Sequence, residues 1–125
     1  MSSKNSNLIR PYLKSCTDKL GFSLTENQIQ KMEAHAAELL IWNRKINLTA
    51  IKTPGEIAEK HFVDCLPAVQ LFKEDEQVLD MGSGGGFPGI VLKMMNPSLS
   101  LFMIDASRKK VNFLKHVIRK LGFEK

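Results

Sequence analysis

From Val78 to Gly89 the chain reads Val-Leu-Asp-Met-Gly-Ser-Gly-Gly-Gly-Phe-Pro-Gly. Gly82, Gly84 and Gly86 fall at alternate positions behind Asp80, directly after an apolar run. Glycine lacks a Cβ, so it accepts positive φ and lets a ligand lie against the main chain. Gly82, Gly84, Gly85 and Gly86 so close together carry too large a backbone entropy to be an ordinary turn. Asp80 is placed to take up loop N–H groups or an ammonium on the ligand. A second acid, Asp105, ends the next apolar run. A carboxylate there can accept both hydroxyls of a ribose, as in nucleotide-binding βαβ units, or it can cap the helix after it.

The spacing restricts the ligand. A P-loop would end in Gly-Lys-Ser or Gly-Lys-Thr, and neither is present. The dinucleotide pattern G-x-G-x-x-G fits from Gly84, but its last glycine, Gly89, then follows Pro88 inside a helix start. The D-x-G-x-G-x-G frame resembles instead the first motif of class I methyltransferases, which bind S-adenosylmethionine. That resemblance implies a cofactor site of Asp80, Gly82, Gly84, Gly86 and Phe87, with Asp105 on the ribose.

Other residues carry weaker signals. His61 and Asp64 lie three apart, where they can face a substrate or pair with each other. Asn43 and Asn47 flank a loop and suit hydrogen bonds that fix it. Trp42 reads as a packing anchor. Arg44, Lys45, Arg108, Lys109, Lys110, Lys115, Arg119 and Lys120 are cations, the last six within one stretch. Such a run is either a solvated face or a set of phosphate contacts. Cys16 and Cys65 have neither a CxxC pairing nor metal spacing and read as reduced thiols.

The elements that must position these residues emerge from periodicity and caps. A helix over Arg10–Leu20 closes at Gly21. Thr25 with Gln28 forms a capping box, and Ile29, Met32, Ala36, Leu39 and Leu40 continue at helical spacing to about Lys45. Thr53, Pro54 and Glu56 start another helix, with Ile57, His61 and Asp64 on one face and a bend at Pro67. Gln77–Met81 reads as a buried strand, and Pro88 and Gly89 open a helix to Met95. Leu99 to Ile104 is a second strand. Ser107 caps a last helix with Val111, Leu114, Val117, Ile118 and Leu121 as its stripe. Strands alternating with helices predict an α/β fold with a parallel sheet and right-handed crossovers. The division expected is 1–73 as an N-terminal helical region and 74–125 as the beginning of a cofactor-binding domain.

Composition sets outer limits. The chain has 125 residues, 43% hydrophobic and 25% charged. That suits one soluble globular domain able to bury a core. No apolar run approaches the roughly 18 residues of a membrane span. The polar N-terminus lacks a signal-peptide core, so a cytoplasmic location is expected. The formal net charge of +5 suits a polyanionic partner but is common elsewhere.

Taken in order, several stretches resemble the ribosomal RNA small subunit methyltransferase G family, also called glucose-inhibited division protein B. They are Trp42-Asn43-Arg44-Lys45-Ile46-Asn47-Leu48-Thr49, Lys60-His61-Phe62-Val63-Asp64-Cys65-Leu66, the glycine segment from Asp80 to Gly89, and Asp105 to Leu114. The resemblance implies methyl transfer from S-adenosylmethionine to guanine N7 of 16S ribosomal RNA. The partner would be that RNA or the small ribosomal subunit, with no metal. Guanine N7 is a lone-pair nucleophile with no proton to remove, so no dedicated catalytic residue is expected. RNA-contact candidates are Arg44, Lys45, His61, Arg108 and Lys109. The fold implied is N-terminal helices followed by the first βαβα units of a class I, Rossmann-like methyltransferase.

Two departures from the family stand out. Cys65 occupies a usual serine position, and the family continues through further strands and helices. The C-terminal half of the sheet is therefore expected to be missing, with self-association through the exposed sheet edge. A truncated, non-catalytic adenosyl- or nucleotide-binding module is the alternative.

Overall fold

The computed structural model describes residues 9–21, 23–48, 53–82 and 84–123. Residues 1–8, Phe22, the loop end 49–52, Ser83, residues 124–125 and the side chains of Cys16 and Pro54 lie outside that description.

Helix α1 spans Arg10–Leu20 and ends at Gly21, whose φ of 76° gives the left-handed cap. Helix α2 spans Glu26–Asn43 behind the expected capping box, with Thr25 and Gln28 bonded reciprocally. It stops two residues earlier than expected, where the Trp42 carbonyl accepts from both Lys45 N and Ile46 N. Arg10 links the two helices through Glu26 and the buried Glu33.

The stretch expected as one helix from Pro54 is four short pieces. Helix α3 (Pro54–Glu56) runs into a π turn (Ile57–Phe62), a 3₁₀ turn (Val63–Cys65) and helix α4 (Leu66–Val69). Pro67 lies in the first turn of α4 and has no N–H for the Val63 carbonyl, which takes Leu66 N instead. The extra residue of a π turn rotates the next segment by about 100° relative to a regular helix. Of the three residues expected on one face, Ile57 is buried, His61 half-buried and Asp64 exposed.

Strand β1 (Gln77–Met81) pairs in parallel with β2 (Ser100–Ile104), from Gln77 opposite Ser100 to Met81 opposite Ile104. The crossover is α5 (Gly89–Met95). Helix α6 (Arg108–Lys120) comes next, capped by the Ser107 side chain on Lys110 N. The result is a mixed helix and strand structure around a two-stranded parallel sheet. Val78 packs with Leu92 and Leu99, with Leu101 alongside. The opposite face carries Leu79, Met81, Phe102 and Ile104, each more than half exposed. The expectation of a buried β1 is thus corrected: among the described residues no element covers that second face, so only the Val78 side is sealed.

The main core takes residues from both sides of the 73/74 boundary. Leu13, Met32, Leu39 and Phe62 pack with Ile90, Phe113 and Val117. Trp42 lies edge-on to Phe113 at 5.5 Å, as a packing anchor should. His116 on α6 pairs with the buried Glu38 on α2 at 2.8 Å. Lys31 on α2 donates to the Leu121 carbonyl at the end of α6.

Candidate functional site

The glycine loop leaves the C-terminal end of β1 beside the C-terminal end of β2. This is where open parallel sheets bind ligands. Gly82, Gly84 and Gly86 all have positive φ, at 75°, 53° and 95°. Main-chain bonds pin both ends: Gly82 N donates to Ile104 O at 2.7 Å, and Ile90 N to Gly86 O at 2.9 Å. Asp80 acts at the far end of the loop, where its Oδ2 accepts from Gly89 N at 3.0 Å.

The glycines divide by what a side chain would meet. A Cβ on Gly82 would touch nothing within 4 Å, and one on Gly84 only the Leu48 carbonyl at 4.0 Å. At Gly86 it would lie 2.5 Å from Ile90 Cδ1, and at Gly89 it would lie 2.7 Å from Asp80 Oδ2. The last two glycines are therefore required for packing. Gly82 and Gly84 instead leave an open cradle along the backbone.

Asp105 fastens that cradle to β2. Its Oδ2 accepts from Gly84 N and its Oδ1 from Ser107 N, both at 2.9 Å. These N–H groups, Ser107 first, hold its carboxyl below the usual aspartate range. The two readings of Asp105 are compatible. It makes a turn bond to the residue that caps α6, and each oxygen keeps a second lone pair for another donor.

Behind the loop, Phe87 is held between two imidazoles. His35 stacks on it at 4.7 Å and 14°, and His61 at 4.4 Å and 9°. Phe62 meets the same ring edge-on at 5.1 Å. Burial pulls His61 below the ordinary histidine range. His61, an RNA candidate by sequence, is half-buried in this stack. Cys65 donates its thiol proton to the His61 carbonyl. Burial first, then the charges of Asp64 and Asp80, push that thiol up to about 12. It stays protonated and is no nucleophile.

Sequence reasoning passed over His35. Its side chain is fully buried, and its Nε2 lies 2.8 Å from the Gly85 carbonyl. The available signal was its position, three after Met32 and four before Leu39, which puts a polar ring on the apolar stripe of α2.

The structure brings a second motif to the loop. Asn43 Oδ1 accepts from Leu48 N at 2.8 Å, the loop-fixing role expected of it, and Leu48 in turn faces Gly84. Arg44 and Lys45 lie exposed in the intervening turn. Arg108 and Lys109 are exposed in the first turn of α6, just past Asp105. Among the described residues no group of three or more His, Cys, Asp or Glu side chains is arranged to hold a metal. No described helix is long and apolar enough to cross a membrane.

Residues 28–125 match the family described as rRNA small subunit methyltransferase G. A ribosomal RNA small subunit methyltransferase G from Geotalea uraniireducens is 50% identical over 103 residues, covering 82% of this chain and 47% of that protein. The protein of the same description from Desulforamulus reducens is 45% identical over 112 residues, covering 88% of this chain and 47% of its own length. That from Alkaliphilus metalliredigens is 44% identical over 114 residues, covering 90% and 48%. The chain spans about half the length of these curated relatives.

Proposed function

Because this chain belongs to the rRNA small subunit methyltransferase G family, we propose that it is the cofactor-binding part of an S-adenosylmethionine-dependent enzyme that methylates guanine N7 of 16S ribosomal RNA. The observation that carries the cofactor is the open cradle of Gly82 and Gly84 with Asp105 beside it. In this reading Gly82, Gly84 and the main chain toward Phe87 take the amino-acid and ribose portions. Asp105 accepts the ribose hydroxyls on its remaining lone pairs. Asp80 and Gly86 hold the loop's shape. The fold is read as the first β-α-β-α units of a Rossmann-like class I domain, with 1–73 as the helical region in front of it.

The bound cofactor supplies an activated methyl group. Guanine N7 presents a lone pair, so the protein's task is to bind, orient and exclude water rather than to move a proton. No residue is assigned a catalytic role. Arg44, Lys45, Arg108 and Lys109 are the proposed phosphate contacts and His61 a further RNA contact, with 16S RNA or the small subunit as partner and the cytoplasm as the location. Cations in the first turn of α6 oppose the helix dipole, and that turn has no acid to offset them. Their placement is better explained by a polyanion than by helix stability.

Calorimetry with S-adenosylhomocysteine tests the site. The full chain should bind, and Asp105→Ala should weaken binding by about 1–3 kcal/mol, the range for charge-assisted hydrogen bonds. An unchanged affinity would leave Asp105 as a turn residue only.

A further inference from the structure

We propose that His35 is a positioning residue of the cofactor loop: from α2 it holds the Gly85 carbonyl and so sets how Gly82 and Gly84 are presented to the ligand. This rests on the cofactor reading above.

The chemistry of the contact fixes the state of the ring. A carbonyl oxygen only accepts, so Nε2 carries the proton and donates across 2.8 Å. Nδ1 then holds a lone pair, and it is buried with no hydrogen-bond partner among the described residues. The rings around His35 are Phe87, Phe62 at 5.3 Å and Phe113 at 6.4 Å. The titratable group that reaches it is His61, on the other face of Phe87. In so apolar a site, burial pulls its pKa to about 4, and the ring is neutral. A phenylalanine would fill this space with no orphaned nitrogen. The histidine is justified by the one bond it makes, because a buried carbonyl left without a donor is costly.

That bond completes a clamp. The Gly84 N–H is held by Asp105 from the β2 side, and the next residue's carbonyl is held by His35 from the α2 side. The ring also forms the floor under Gly86, where an added Cβ would meet His35 Cε1 at 3.3 Å. The same helix ends at Asn43, which holds Leu48 against Gly84. One helix therefore supports the cradle from two directions.

His35→Phe keeps the stack on Phe87 and removes the donor, whereas His35→Gln keeps a donor of similar reach. In the full chain, the Phe variant should exchange its Gly84 amide proton faster. It should also bind S-adenosylhomocysteine roughly fivefold to tenfold more weakly, the loss of about one hydrogen bond. Gln should restore most of both. A Phe variant with parental exchange and affinity overturns the proposal, and so does a loss that Gln fails to rescue. Should the Phe variant not fold, nitrogen-15 spectra of the parent decide: a proton on Nδ1 rather than Nε2 overturns it. Should the parent bind no S-adenosylhomocysteine, the cofactor reading fails, and the clamp stands or falls on Gly84 exchange alone.

Discussion

At Gly84 the φ of 53° and the open space beyond the Cα make one substitution decisive. Valine there is strained by its β-branch at positive φ, and its side chain enters the cradle. Gly84→Val should abolish S-adenosylhomocysteine binding in a chain that remains folded by circular dichroism; parental affinity would place the cofactor elsewhere. His35 gives a prediction in pH. Its folded-state pKa is about 4 against the ordinary 6.5. Above pH 7 it is neutral folded or unfolded and contributes no pH dependence. As pH falls through 6.5 the unfolded chain takes up the proton that the folded one refuses, so stability declines until about pH 4. The full loss is about 3 kcal/mol. Asp105 and Glu26, whose pKa values are lowered by their partners, add their own acid losses. The Glu26 loss, and the part of the Asp105 loss that comes from the Ser107 N–H, are common to the parent and to His35→Phe. The stability difference between the two proteins should therefore shift by about 3 kcal/mol between pH 7 and pH 4 in urea titrations, and a pH-independent difference refutes the burial argument. Asp105 was legible because two acids following two apolar runs form a pattern. His35 was not, because its partner is 50 residues away and neither residue carries a local mark of the other.

Local chemistry made most of the elements readable. The Thr25 box, the Gly21 cap, the bounds of β1 and the Ser107 cap each depend on a few adjacent residues. The π turn at Ile57–Phe62 was hidden, since one extra residue leaves composition and approximate periodicity unchanged and depends on how the segment meets Pro67 and the core. Which face of β1 is the open one was hidden for a different reason. Val78, Leu79 and Met81 are all apolar, and that run does not say which strand faces are covered. The capping box permits a test of α2 at a distance from the site. Thr25→Ala removes the acceptor for Gln28 N and should destabilise the chain by about 1 kcal/mol. The denaturation midpoint should fall while the cofactor affinity of the folded protein is retained. A folded variant with weaker binding would mean that the start of α2 also sets the position of His35.

Among the described residues one side of the sheet is sealed and the other is open. Leu79, Met81, Phe102 and Ile104 form a contiguous apolar face in the observed register, with Leu79 opposite Phe102 and Met81 opposite Ile104. A two-stranded sheet also has a free edge on each strand, a template for pairing with another chain. Apolar area of this kind draws copies together, and the edges give the contact direction. The sealed side is well supported, since α2, α5 and α6 share one core with the helices ahead of them. Association should therefore join folded units rather than result from unfolding. Sedimentation of residues 1–125 should show concentration-dependent oligomers with near-native helix content. Leu79→Lys, which sets a charge in the middle of the open face, should return the chain to a monomer, because burying that charge against another copy is costly. The cradle opens at the C-terminal end of the same two strands, so a self-associated face would stand close to any RNA docking there. For that reason transfer of a radiolabelled methyl group to small subunits lacking the modification should be weak or absent with this chain alone. A monodisperse parent with stoichiometric transfer would show that the open face needs no cover and that these residues suffice for catalysis.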